Sequence, residues 1–282
     1  SFGVYSSSYI KVSNSGKLTG EAADTTARSS YGVWAYAAIT VDNGTLEGTG
    51  GTATSGENAG VRSGADVIVT DGTVKGVIKD GSTATTISYG IYAADEMTVS
   101  GSSTVTGTSG KSTATNGTTY GSYGVYIYSS LDVSGSSTVT GTGDEGYYSY
   151  GVYSKNGSGS VKVNISGTSK VTGTSSTATN DSAGVYTKCS ITVSGSASLI
   201  GKGGAISTST AGTSYGIYSG SDITAGGSST VEGTGADTSV GVSYGIYGSF
   251  GNESTPGATI TVSDTAKVTG TAAKQTQAQA KA

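Results

Sequence analysis

YGIYAADEMTVSGSSTVTGT, residues 89–108, holds three short stretches in which apolar and polar residues alternate: Tyr89-Gly90-Ile91-Tyr92, Met97-Thr98-Val99 and Thr104-Val105-Thr106-Gly107. A period of two is the mark of a half-buried strand, and the Asp, Ser and Gly residues between the stretches are corner formers. This one segment therefore predicts three short strands joined by two corners.

Working outward, the aromatic–Gly–Val/Ile–aromatic tetrapeptide recurs as FGVY, YGVW, YGIY, YGVY, YGVY, YGIY and YGIY, with AGVR and AGVY as weaker copies. Their glycines are Gly3, Gly32, Gly60, Gly90, Gly124, Gly151, Gly184, Gly216 and Gly245. The mean period of about 30 residues fits a solenoid of stacked repeats. From the first-strand Gly to the Gly closing the third strand is 16 or 17 residues in seven of the nine copies. The other two carry inserts near 156–160 and 252–257, so insertions are expected at a corner. The return to the next first strand varies from 10 to 17 residues, as a surface arc that need not keep register would.

The fold expected is all-β: a single parallel β-helix (β-solenoid) of about nine coils, three short strands per coil, over residues 1–271, with a non-β tail, cap or linker at 272–282. At a strand spacing of about 4.8 Å such a stack is roughly 40 Å long. The predicted core is a set of apolar columns. The first strand gives Val4, Val33, Val61, Ile91, Val125, Val152, Val185, Ile217 and Ile246. The second gives pairs such as Ile10/Val12, Val67/Val69, Leu131/Val133 and Val163/Ile165, and the third gives Leu18, Leu46, Val74, Val105, Val139, Val171, Leu199, Val231 and Val268.

Composition narrows the classes further. With 48 Gly, 48 Ser and 45 Thr, three small residue types make up half of the 282 residues, and there is one Pro. Collagen, polyproline and long helical bundles are excluded. Histidine is absent, which removes the side chain most used for acid–base work near neutral pH and for transition metals. The single Cys189 cannot close an intrachain disulfide. The formal charge of −4 comes with only two arginines, Arg28 and Arg62, and no basic run, so nucleic acid is not an expected partner. No stretch approaches the roughly 18 apolar residues that span a bilayer. The chain starts at Ser1, already on a full repeat and without a capping repeat, and reads as a processed or excised piece.

The YGIY and YGVY copies, the ITVSGS continuation and the STVTGT strand give the sequence a likeness to a known group. It resembles the right-handed parallel β-helix repeats, pectin-lyase-like in fold, of large secreted and cell-surface proteins of bacteria, including adhesins. The resemblance covers nearly the whole chain to about Thr271. It implies the handedness, an extracellular setting and a surface role.

If Val or Ile of the first strand points inward, strict alternation sends the next residue outward, giving a column of Tyr5, Trp34, Arg62, Tyr92, Tyr126, Tyr153, Tyr186, Tyr218 and Tyr247. The glycine two residues earlier is expected on that same outward side, as a lane beneath the rings. The second column, Phe2, Tyr31, Tyr89, Tyr123, Tyr150, Tyr215 and Tyr244, interrupted by Ala59 and Ala183, is then expected to face inward as a corner stack. Three readings of the outward column stay open: rings that stabilise the sheet, lateral or end-to-end self-association or docking of other surface proteins, and stacking on glycans.

Other surfaces offer less. The outward Thr104/Thr106 and Thr138/Thr140 array invites an ice-binding reading, but Lys17, Glu47, Lys75, Lys170, Glu232 and Lys267 intrude. Glycan cleavage needs two carboxylates roughly 5–10 Å apart; Asp66 and Glu96 are the one pair expected on adjacent coils at one corner, and a charge pair or an adventitious Ca²⁺ site is the preferred reading. Glu47 and Glu232 lie six coils apart. No catalytic residue, cofactor or resident metal is expected. Six acceptor motifs for N-glycosylation begin at Asn43, Asn116, Asn156, Asn164, Asn180 and Asn252, and Cys189 is expected to be a small corner residue. The function expected is an extracellular structural or adhesive element that polymerises, with a carbohydrate-binding module as the main alternative and a polysaccharide-degrading enzyme third.

Overall fold

A computed structural model describes residues 1–26, 28–115, 120–207, 212–238, 241–249 and 257–273. The chain forms three parallel nine-stranded sheets, and each coil contributes one strand to each. The first sheet runs from Phe2–Ser6 to Val242–Gly248, the second from Ile10–Ser13 to Ile260–Val262, and the third from Lys17–Glu21 to Lys267–Thr271. This is the expected β-solenoid. Among the described residues none is helical, so none forms a helix long and apolar enough to cross a membrane. The tail expected at 272–282 lies outside the described residues from 274 onward.

Register follows the repeat. Val33 pairs with Val61, Val61 with Ile91 and Ile91 with Val125, while Gly76, Gly107, Gly141 and Gly173 align in the third sheet. A middle coil fills its interior with about five side chains: Val33, Ala35, Ile39, Val41 and Leu46 are all fully buried. Burying a Val, Ile or Leu contributes about 1.5–3 kcal/mol, and stacking makes every interior coil cover two neighbours. Val4, Leu18 and Val268, in the first and last described coils, are partly buried and packed against the same core.

The glycine lane expected on the outside lies on the inside. A Cβ added to Gly90 would overlap the amide nitrogen of Thr108 and crowd the backbone of Gly107. One added to Gly107 would overlap the Gly124 carbonyl and sit 2.8 Å from Cγ2 of Val125. The same meeting recurs from Gly3 with Gly20 to Gly245 with Gly270. One corner of every coil is thus closed by backbone on backbone, with no room for a side chain. Because Gly90 and Ile91 both face the interior, the strand bends between them, and alternation restarts with its phase shifted.

The corner between second and third strands is set by a left-handed residue. Gly101, Gly135, Gly167, Gly195 and Gly227 have φ of 70–75°, and Asn43, Asp71 and Asp264 take the place with φ of 48°, 48° and 58°. Glycine enters that region without penalty, and Asn and Asp tolerate it better than other side chains. The insert near 156–160 sits at the other corner, between the strands Tyr148–Ser154 and Lys162–Ile165. The insert expected near 252–257 falls mostly outside the described residues.

The return arc keeps more register than its variable length predicts. Thr25 bridges to Ala53 and Ala53 to Ala84, and the strand Thr83–Ala84 pairs with Lys111–Ser112. A second run links Gly146, Ala178, Ile206 and Thr238. The cause is a buried polar column just ahead of the tyrosines, which includes Ser30, Asn58, Ser88, Ser122, Ser182 and Ser214. Their hydroxyls accept arc amides: Gly51 to Ser30 at 2.9 Å, Gly110 to Ser88 at 2.8 Å, Ser112 to Ser122 at 3.0 Å and Ala236 to Ser214 at 2.9 Å. Asn58 donates instead, from Nδ2 to the Gly51 carbonyl at 3.0 Å.

Gly107→Ala is expected to destabilise the fold by about 1–3 kcal/mol or more, the range for overpacking, because backbone cannot yield as a side chain can. Thr106→Ala, next in sequence but facing outward, should stay within the roughly 1 kcal/mol span of strand propensity. Chemical denaturation of both variants checks the contrast, and equal midpoints would refute the backbone contact.

Candidate functional site

The nine residues of the predicted outward column lie in register on the outer face of the first sheet. Tyr5 and Trp34 have ring centroids 4.8 Å apart, Tyr92 and Tyr126 5.0 Å, Tyr126 and Tyr153 5.2 Å, Tyr153 and Tyr186 5.5 Å, Tyr186 and Tyr218 4.2 Å, and Tyr218 and Tyr247 5.5 Å. These separations lie at the close end of the range for aromatic pairs, or just below it for Tyr186 and Tyr218, and such pairs are each worth about 0.5–1.5 kcal/mol beyond burial. The sheet spacing imposes the ladder.

The second column, expected inside, is on the same outer face. Tyr89 lies 4.9 Å from Tyr92, Tyr123 5.3 Å from Tyr126, Tyr150 5.2 Å from Tyr153, Tyr215 5.2 Å from Tyr218 and Tyr244 4.9 Å from Tyr247. The bend at the intervening glycine turns both aromatics of each tetrapeptide outward. The outcome is a two-column aromatic slab rather than a single exposed stripe.

That slab buries its own middle. Tyr126 is 6% exposed and Tyr153 9%, whereas Tyr5 at one end is 50% exposed. Trp34, Tyr92, Tyr186, Tyr218 and Tyr247 are half-buried. Desolvation raises the phenols accordingly: Tyr153 and Tyr215 are pushed up to about 12, and Tyr89, Tyr123 and Tyr150 go well above the ordinary value.

Arg62 interrupts the ladder without leaving a hole. Its guanidinium lies 4.8 Å from the ring centre of Tyr92, 5.5 Å from Tyr31 and 5.7 Å from Trp34. Nε pairs with Glu57 Oε1 at 3.2 Å, and the Tyr31 hydroxyl donates to that same oxygen. A planar cation between aromatic faces substitutes for the missing ring. Neither the carboxylate beneath it nor the serine column behind it was anticipated from sequence. The recurring Ser-Tyr-Gly and the acid two residues ahead of each interrupting alanine were the available signals.

The remaining predicted groups are structural in their surroundings. Asp66 Oδ1 accepts the Glu96 amide at 3.1 Å, and desolvation, with Asp95, Asp66 and Asp132 nearby, pushes the Glu96 carboxyl upward. Among the described residues no group of three potential ligands surrounds that pair. Glu47 is held low by its 2.8 Å contact with Lys17. In the third sheet Thr106 pairs with Lys75 and Thr140 with Thr172, so the threonine array is interrupted as expected. Cys189 is buried at a corner, its Sγ 2.9 Å from Thr187 Oγ1. Asn164 donates to Asp132 at 2.7 Å, while the motifs at Asn116 and Asn252 lie outside the described residues.

Set against protein-family models, curated proteins and solved structures, the chain matches none.

The slab should be visible in an alkaline titration. The fold favours the protonated phenol, so the stability this contributes is complete below pH about 10, the ordinary tyrosine value, and is lost as pH rises from there. Absorbance of tyrosinate should show Tyr153 and Tyr215 ionising only near pH 12, with strand signal lost as pH rises towards that value. A single transition near pH 10 with intact strand signal would contradict the buried slab.

Proposed function

We propose that the chain is a non-catalytic, extracellular structural or adhesive β-solenoid that extends a surface fibre by stacking coils end to end. The observation that carries this reading is the register: in all three sheets each coil lies directly on the next, so that one coil is a template for another of the same geometry. Ile260 is 45% exposed and Val262 48%, whereas their register partners Ile223 and Ala225 are fully buried. At the opposite edge Phe2 is 49% exposed. Strand edges that carry exposed apolar residues pair readily with another layer of the same geometry. A contact of last coil on first coil is head-to-tail, which generates an open filament rather than a closed ring. The likeness to right-handed, pectin-lyase-like repeats of bacterial surface proteins supports the setting. The engagement of Asp66 and Glu47 with neighbouring groups favours structural over catalytic roles for those acids.

A second reading is glycan binding, and the exposure pattern restricts where it could occur. The central rungs are too covered to stack on a sugar, but Phe2, Tyr5, Tyr9 and Tyr36 are 49%, 50%, 66% and 67% exposed near one end.

Electron microscopy over a concentration series separates the two. Filaments with an axial repeat near 40 Å, set by about nine strand spacings, are expected for the wild type, and Ile260→Lys or Val262→Lys should leave short rods. Isolated rods at every wild-type concentration would refute stacking. Saturable sugar-dependent quenching of Trp34, lost in Tyr5→Ala, would then favour the glycan reading.

A further inference from the structure

Two coils lack the first aromatic of the tetrapeptide, at Ala59 and Ala183, and both carry an acid two residues earlier, Glu57 and Asp181. Ala59 lies in register between Tyr31 and Tyr89, and Ala183 between Tyr150 and Tyr215. Each alanine deletes a ring from the second column and leaves a gap beside the ladder, with an acid at the same register position. In the first gap the chain supplies the filling: the Arg62 guanidinium, paired with Glu57 and flanked by rings.

The second coil also carries an acid, Asp181 in place of Glu57, among aromatic residues, but not the arginine. Tyr186 stands at the Arg62 position, stacked on Tyr218 at 4.2 Å and with its ring 5.0 Å from Tyr150 and 6.4 Å from Tyr215. On the Tyr150 side of that coil lies a surface cavity of about 140 Å³, lined by Asp181, Lys188 and the phenols of Tyr123, Tyr148, Tyr150, Tyr153 and Tyr186. Since water takes about 30 Å³ apiece in the liquid, the space suits a headgroup of a few heavy atoms. Asp181 Oδ1 accepts the Thr213 amide at 3.0 Å, and among the described residues no cation lies within ion-pair distance of it. Burial pushes its carboxyl up, with the Thr213 amide opposing. A desolvated acid without a counter-ion is costly, and the phenol oxygens that line the cavity can accept further hydrogen bonds from a cation.

The geometry points to a guanidinium-binding site in the cavity at Asp181, in which an external cation answers the acid as Arg62 answers Glu57 internally. Guanidinium is preferred over ammonium because it is planar, stacks on rings and hydrogen-bonds a carboxylate in its own plane. Lys188 is exposed at the cavity, and its charge weakens rather than completes the site. The source is either a small guanidine or an arginine side chain on a second macromolecule.

The test is titration of the full chain with ethylguanidinium, and with a capped Gly-Arg-Gly peptide, followed by tyrosine ring proton shifts at constant ionic strength. Saturable binding in the millimolar range is expected. It should weaken at least tenfold in Asp181→Asn and in Tyr186→Arg, which answers the acid from within, be unchanged in Thr106→Ala, and strengthen in Lys188→Ala. Preference for the peptide indicates an arginine on a partner, and preference for ethylguanidinium indicates a small molecule. Retention of wild-type strand signal in either weakened variant keeps the comparison valid should the other fail to fold. Equal binding in Asp181→Asn and wild type overturns the site. So does binding confined to Lys188→Ala, which would show that the chain fills this cavity with its own lysine.

Discussion

The contact on which the rest of the molecule depends is the meeting of two glycine columns, one from the first sheet and one from the third, backbone against backbone. Gly90 against Gly107 is one layer of it, and every coil repeats it. Closing a corner without side chains shrinks the interior to a wedge that about five small and branched residues per coil can fill at protein density. This is how a chain that is only 34% hydrophobic can support a continuous core. The same contact bends the first strand, and the bend sends both aromatics of each tetrapeptide to the outer face. The slab of tyrosines is therefore a product of the glycine corner, which also explains why the aromatics and the glycine travel together in the repeat.

Polar groups perform the second half of the closure. A return arc of variable length cannot be fixed by apolar packing, since it crosses the surface with few large side chains. The buried serine column fixes it instead, by accepting arc amides at 2.8–3.0 Å. A buried hydroxyl satisfied on each coil is inexpensive, while an unsatisfied one costs about 1–3 kcal/mol. The abundance of Ser at this position thus reflects hydrogen-bond accounting within the fold rather than a low-complexity surface.

Most of this architecture was legible in the sequence, and the parts that were not have physical reasons. Period, strand count, the Val and Ile columns and the corner placement of the insert all follow from spacing, which the register preserves. The direction of Tyr89, Tyr123 and Tyr150 did not follow, because counting alternation assumes an unbent strand. The only hint of a bend was the glycine, and glycine in a strand is equally compatible with a lane beneath rings. The arc's bridges were hidden because Thr, Ala and Gly carry no pattern that separates a bridge from a turn. The ladder residues themselves were identified correctly by position, yet their exposure was not, since Tyr126 and Tyr153 are covered by rings that alternation had assigned to the interior.

A repeat molecule supplies its own controls, and its departures from the pattern can be compared at fixed geometry. At Ala59 and Ala183 the same deletion occurs against the same kind of neighbours, with an acid at the same register position. Deleting a tyrosine from a stacked column forfeits burial and ring contacts together, and an acid beside the gap adds a desolvation cost. A neutral side chain would repair the first loss but not the second. Arg62 repairs both, because its guanidinium is flat enough to lie among rings and charged enough to compensate Glu57. At Asp181 the ladder residue repairs only the first, since Tyr186 meets Tyr150 at 5.0 Å and Tyr215 at 6.4 Å but brings no charge, and the difference between the two coils comes down to arginine against tyrosine at one position. Since the surrounding sheet is held by glycine contacts that do not involve the aromatic face, the stack can carry one uncompensated acid without losing its register.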